Sequence, residues 1–136
     1  AQDPGFFAAR RYLGLIYAEL GRDKEAIAEL KQALALSEDS ALIKAELGYA
    51  YAAAGQRDEA RKIVNELQSV SDESALSFPI AAIHAGLGDK DAAFEMLQKA
   101  YDERSDRMPY LKVEPRFRQL RTDPRFTKLL ARLGLE

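Results

Sequence analysis

The 136-residue sequence predicts an all-α protein in which helical hairpins stack into a solenoid. Three observations carry that expectation. First, the chain repeats itself at a spacing of 34 residues: Leu13-Gly14, Tyr17-Ala18, Gly21 and Glu25-Ala26 return as Leu47-Gly48, Tyr51-Ala52, Gly55 and Glu59-Ala60. A third copy follows one residue early, with Ile83, Ala85, Leu87, Gly88 and Ala93 standing for Ile16, Ala18, Leu20, Gly21 and Ala26. Such a period marks stacked units, each too small to bury its apolar face alone. Second, hydrophobic residues make up 47% of the chain, much of it Ala and Leu, while Val occurs only at Val64, Val70 and Val113. That balance favours helix over strand. Third, the apolar residues between the glycines fall at helical spacing.

Each element follows from its own signals. Asp3-Pro4 reads as an N-cap followed by proline in the first turn, where its missing N–H costs nothing. The first helix then runs to about Leu20, with Leu13, Tyr17 and Leu20 on one face. Gly21 ends it, because glycine enters the left-handed region without a Cβ clash. Asp23 is expected to cap the second helix, 24–36, whose stripe is Ala26, Ile27, Leu30, Ala33 and Leu34. Asp39-Ser40 opens the third, 41–54, and Gly55 closes it. The fourth, 58–70, turns Ala60, Ile63, Val64 and Leu67 inward. The polar stretch 69–77 breaks the rhythm. Ser77 is the expected N-cap of a short fifth helix, 78–87, and Gly88-Asp89 leads into the sixth, 90–104. The short loops make neighbours antiparallel.

The remainder differs. Glu114-Pro115-Arg116-Phe117 with Leu120 is echoed nine residues on by Asp123-Pro124-Arg125-Phe126 with Leu129. Each acid–proline pair reads as a helix start, predicting helices over 115–121 and 124–133. Phe126, Leu129, Leu130 and Leu133 share one stripe of the second. These helices are expected to cover the open end of the third hairpin.

Charge is unevenly placed. From Arg104 onward there are nine Lys/Arg against four Asp/Glu, and the first 103 residues hold eleven against eighteen. A solvated helix face explains the basic tail better than an acidic partner does. No cysteine is present, which removes disulfides, thiolate metal sites and cysteine nucleophiles. No apolar run approaches the roughly 20 residues that span a bilayer. No signal peptide is visible, and a cytoplasmic location is expected with the periplasm left open. The start, Ala1-Gln2-Asp3-Pro4-Gly5, has no initiator Met, and a piece of a longer protein is expected.

The repeated residues resemble the tetratricopeptide repeat family, a helix–turn–helix with small residues at three fixed positions and large apolar or aromatic ones at three others. The resemblance places repeats over about 7–40, 41–74 and 74–107, within 1–107, followed by capping helices over 108–136. Repeat one supplies Leu13, Gly14, Tyr17, Ala26, Leu30 and Ala33. Repeat two supplies Leu47, Gly48, Tyr51, Ala60 and Val64, but has Leu67 where the family has a small residue. Repeat three supplies Ile80, Ala81, Ala93, Leu97 and Ala100, and His84 replaces an expected Tyr. The resemblance implies a right-handed α-solenoid. The tail through Phe126 is similar to a recurring ending of bacterial repeat proteins, which implies a fragment of a signalling or regulatory protein.

In this family the first helix of each repeat lines a concave groove. The resemblance thus points to Arg11, Tyr12, Leu15, Glu19, Leu42, Glu46, Tyr49, Phe78 and Ala82 as the groove that holds a partner. Tyr12 and Tyr49 either contact a ligand or stack between repeats. Arg11 and Glu46 are expected to be solvated or paired with each other. The only Asn is Asn65, on a second helix, so a clamp for a terminal carboxylate is not expected. A lining of Ala, Leu and Tyr suits an amphipathic helix or an extended apolar peptide.

The expected function is protein–protein interaction through that groove. The alternative is a structural spacer or self-association module. Its groove would be filled by Leu111, Phe117 or the Leu129-Leu130 helix, or by a second copy in a homodimer. Neither an enzyme nor a cofactor is expected. His84, the lone histidine, stands at a packing position, and nothing supplies a nucleophile or a metal set around it. Gly86-Leu87-Gly88-Asp89-Lys90 lacks the ending of a phosphate loop. Nucleic acid is not an expected partner either. Arg116, Arg118, Arg121, Arg125, Lys128 and Arg132 make a basic run, but Phe117 and Phe126 within it are spaced as inward staples. No membrane association is expected.

Overall fold

The computed structural model describes residues 4–69 and 76–135. Three antiparallel hairpins follow one another: α1 (Pro4–Glu19) with α2 (Asp23–Leu36), α3 (Ala41–Ala53) with α4 (Arg57–Gln68), and α5 (Ser77–Leu87) with α6 (Lys90–Asp102). A 3-10 turn at Met108–Tyr110, a 3-10 helix at Pro115–Leu120 and α7 (Pro124–Leu133) complete the chain. Each first helix packs on the hairpin before it, α3 on α1 and α2, and α5 on α3 and α4.

The hairpin turns share one construction. Gly21, Gly55 and Gly88 have φ of 75°, 80° and 79°. The N–H after each glycine donates to a carbonyl five residues back: Arg22 to Tyr17 at 2.9 Å, Gln56 to Tyr51 at 2.9 Å, and Asp89 to His84 at 3.0 Å. These bonds satisfy carbonyls that a helix end leaves open. Glycine inside the helices acts differently. A Cβ on Gly14 would sit 2.8 Å from Leu30 Cγ, and one on Gly48 would sit 2.8 Å from Ile83 Cδ1 and 2.9 Å from Ile63 Cγ2. The repeated small residue therefore sets how closely the helices approach, and filling it would overpack the contact by ~1–3 kcal/mol.

Several expected caps differ. Ser40 accepts from Ile43 N–H as expected, and Asp89 accepts from Ala92 N–H. Asp23, however, is the first residue of α2; Arg22 holds the cap position and offers no side-chain acceptor. Ser77 is a fully buried helical residue rather than a cap, because its hydroxyl donates to Glu103 Oε1 at 2.7 Å, tying α5 to the end of α6. The Asp3 cap and most of the polar stretch, 70–75, lie outside the described residues.

Two apolar cores result. One joins α2 to α5 through residues such as Leu30, Ile63, Val64, Leu67, Ile80 and Ile83. The other joins α5 and α6 to the tail through Phe78, Leu97, Leu111, Phe117, Leu120 and Phe126. The tail divides its work. Its 3-10 helix lies on α5, where Phe117 meets Phe78 edge-on at 5.1 Å. Helix α7 lies along α6, with Arg125 4.4 Å over the Phe94 ring and Arg132 4.5 Å over Tyr101. The 115–121 segment is wound as 3-10 helix, not as α-helix. Both acid–proline starts hold: Glu114 accepts from Arg116 N–H at 3.2 Å and Asp123 from Arg125 N–H at 2.9 Å. The Arg125 side chain and N–H together hold the Asp123 carboxyl down at about 2.

At the other end, Leu13 and Leu20 are exposed and Tyr17 is only half-buried, so the apolar face expected to pack α1 has no cover among the described residues. Periodicity shows that a face is apolar, not that something lies on it.

His84 takes the place that Tyr17 and Tyr51 hold in the earlier repeats. Its Nδ1 is buried with no hydrogen-bond partner. Burial pushes the imidazole below its ordinary 6.5, against the opposing pull of Asp89 and Glu95. The unfolded chain therefore takes up a proton near 6.5 while the folded chain resists it. Stability should be complete above that pH and should fall as pH drops through 6 toward the folded value, by at most about 1.4 kcal/mol per unit. Urea titrations between pH 7 and 5.5 test this, and His84→Phe should flatten the slope.

Candidate functional site

The concave side is built from three rows of first-helix residues. By the repeat spacing, Leu15, Tyr49 and Ala82 are equivalent, as are Glu19, Ala53 and Gly86. The tail covers the third row. Phe78 and Ala82 are buried, Phe78 beneath Phe117. What remains open lies over α1 and α3. There a cleft of about 220 Å³ runs between Arg11, Leu15, Ala18, Glu19, Glu46 and Tyr49 on the hairpin side and Arg107, Glu114, Pro115, Arg116 and Arg118 on the tail side. A second hollow of about 300 Å³ shares Ala18, Glu19, Tyr49, Arg116 and Arg118 with it and extends to Gly86 and Gln119. Tyr49 therefore lines both hollows, which adjoin along these shared residues.

Tyr49 reaches that place because Gly86 leaves room. A Cβ on Gly86 would come within 3.4 Å of the Tyr49 ring and 3.0 Å of Ala52 Cβ. Burial raises the Tyr49 hydroxyl above its ordinary value, while Arg118 and Arg116 across the cleft pull it back. The phenol thus stays neutral and offers both a donor and an acceptor.

Arg11 and Glu46 pair with each other. Nε donates to Oε1 at 2.7 Å and an Nη to Oε2 at 2.6 Å, a bidentate contact between hairpins one and two. Glu46 is only 6% exposed. Its hydrogen bond raises Arg11 further, against the cost of burial. The pair is thus a structural clasp at the cleft wall. A parallel clasp, Arg10 to Glu29 at 3.0 Å and 3.2 Å, ties α1 to α2, and Lys44 pairs with Glu66 between α3 and α4.

The other candidates divide. Leu15 and Glu19 line the cleft with Tyr49. Tyr12 is 61% exposed beside it, with Arg11 5.7 Å from its ring. Leu42 is half-buried and lines neither hollow. Arg107, Glu114, Arg116 and Arg118 were not expected in the groove. The basic run was legible, but only the fold turns part of it toward α3.

Electrostatics of the cleft reduce to a short account. Arg116 is held by Glu114 at 2.9 Å, as Arg11 is by Glu46. Arg118 donates Nε to the Pro115 carbonyl at 2.9 Å, a neutral acceptor that leaves its charge uncompensated. Arg107 and Arg118 on the tail side therefore face Glu19 and Asp23 on the hairpin side, and along both hollows four arginines are matched by four carboxylates. Among the described residues no group of three or more His, Cys, Asp or Glu could hold a metal ion. None of the described helices is long and apolar enough to cross a membrane.

The turn chemistry, the small-residue contacts and the stacking of first helices together define a helix–turn–helix repeat array. A family model described as TPR repeat matches residues 14–55. The matched segment, from within α1 to the end of α3, is similar to the tetratricopeptide repeat family, and the described residues form an all-helical array. No curated protein and no solved structure matches the chain.

Arg11→Ala should destabilise the fold by about 2–3 kcal/mol, since it strands a buried carboxylate; partial exposure of Arg11 keeps the loss below that of a fully buried pair. The double variant Arg11→Leu with Glu46→Leu should recover most of that loss. Urea unfolding of the three proteins measures both effects.

Proposed function

We propose that the chain is a protein-interaction module whose cleft holds an extended segment of a partner protein. The observation that carries this reading is the Tyr49 groove, walled on one side by the first helices of hairpins one and two and on the other by the 3-10 helix of the tail. A cleft of about 220 Å³ favours an extended peptide over a helix, one turn of which, at about 10–12 Å across, fills more volume than that. Leu15, Ala18 and the Tyr49 ring supply apolar contact, and tyrosine adds a polar handle. With Arg107 and Arg118 on the tail side and Glu19 and Asp23 on the hairpin side, the groove favours a peptide that sets an acidic residue toward the tail, beside an apolar one.

A second reading is supported by the burial of Leu111 and Phe117. Here the tail is itself the occupant of the groove, and the chain is a structural spacer. In that case the remaining cleft is a seam and binds nothing.

Selection from a displayed random peptide library separates the two. Binding peptides should be enriched in Asp or Glu next to apolar residues, and their affinity should fall with added salt. Tyr49→Ala and Arg118→Glu should each weaken the selected peptides by tenfold or more by calorimetry, with helical content unchanged. Parent-like affinity in both variants, or no enriched peptide, supports the spacer.

A further inference from the structure

The two ends of the array are finished differently. At the C-terminal end, α7 lies along α6 and buries Phe126 and Leu129 there. On α1 nothing among the described residues plays that part. Leu13, Ile16 and Leu20 are 37%, 55% and 66% exposed, and Phe6 extends their stripe at 51%. Helical spacing puts this stripe on the side of α1 away from the cleft.

The chain contains two internal standards for what such a stripe does. Thirty-four residues on, Leu13 and Ile16 become Leu47 and Ala50 of α3, only 5% and 2% exposed. Sixty-seven residues on, Leu13, Ile16 and Leu20 become Ile80, Ile83 and Leu87 of α5, at 0%, 0% and 5%. In both cases the cover is the hairpin before it in sequence. The α5 set shares its core with Ile63, Val64 and Leu67 of α4. The α1 stripe matches the α5 set closely in size. An apolar end left bare is unfavourable for a repeat array.

We infer that the Leu13–Ile16–Leu20 stripe is a stacking face for one more helical hairpin of the same repeat, joined ahead of α1. A second copy of the chain fits less well: head to tail, its last hairpin is already covered by α7, and in a two-fold pairing each α1 would meet a single helix where α5 meets both α3 and α4. The face lies apart from the cleft, so the inference stands whether or not the cleft binds a peptide.

A chain with a copy of residues 41–73 placed directly ahead of Phe7 reproduces the spacing at which α4 meets α5. Its urea midpoint should exceed that of the 136-residue protein, and amide protons of α1 should gain at least tenfold protection from exchange. Ile16→Glu should abolish both gains in the extended chain. In the 136-residue protein, where Ile16 is exposed, the same change should leave stability within error. The inference is overturned if the added hairpin exchanges as an unfolded segment, or if Ile16→Glu has the same effect in both chains. It is also overturned if the 136-residue protein sediments as a dimer that Ile16→Glu dissolves, which would make a second copy the occupant.

Discussion

The edge-on packing of Phe117 against Phe78 decides the shape of the concave side. Stacked hairpins alone would leave three first helices open along one surface. With Phe117 buried on α5, the third of them is closed, and the 3-10 helix that carries Phe117 becomes a wall facing α1 and α3. The cleft, and the placing of Arg116 and Arg118 along it with Tyr49, depend on the seat of that segment, which Leu111 and Leu120 share with Phe117. Glu114 and Pro115 aim the segment by fixing where its 3-10 helix begins.

The charges in the cleft follow from the same arrangement. Glu46 is tolerated at 6% exposure because Arg11 grips both its oxygens. Glu114 does the same for Arg116 within the tail. Such pairs add little net stability beyond well-packed apolar groups, but losing one partner is costly, so Arg11–Glu46 favours one register between hairpins one and two. Once they are matched, Arg107 and Arg118 stand opposite Glu19 and Asp23, and the polarity of the opening is set by residues from two distant stretches of sequence.

Much of the array was legible because its signals are local. Gly21, Gly55 and Gly88 announce left-handed turns, and Gly14 and Gly48 announce close contacts, wherever they fall in space. Ser40 and Asp89 are caps by residue type and position. The misread caps show where local signals fail: Ser77 has cap chemistry, yet Glu103 twenty-six residues away claims its hydroxyl. The tail was legible as two acid–proline starts and as the cover of the third hairpin, but not in its detailed partners, since nothing in Phe117 singles out Phe78. Arg107, Arg116 and Arg118 looked like part of a solvated basic run for the same reason. On α1 the pattern is sound, but the neighbour that such a pattern requires is not among the described residues.

Urea unfolding of Phe117→Ala tests most directly whether the tail is an integral wall of the fold. Loss of a fully buried aromatic ring from a shared core should cost about 3–5 kcal/mol. Amide exchange should then accelerate in both α5 and the tail. A loss under about 1 kcal/mol, with exchange in α5 unchanged, would contradict the account and make the tail an appendage of an array complete without it.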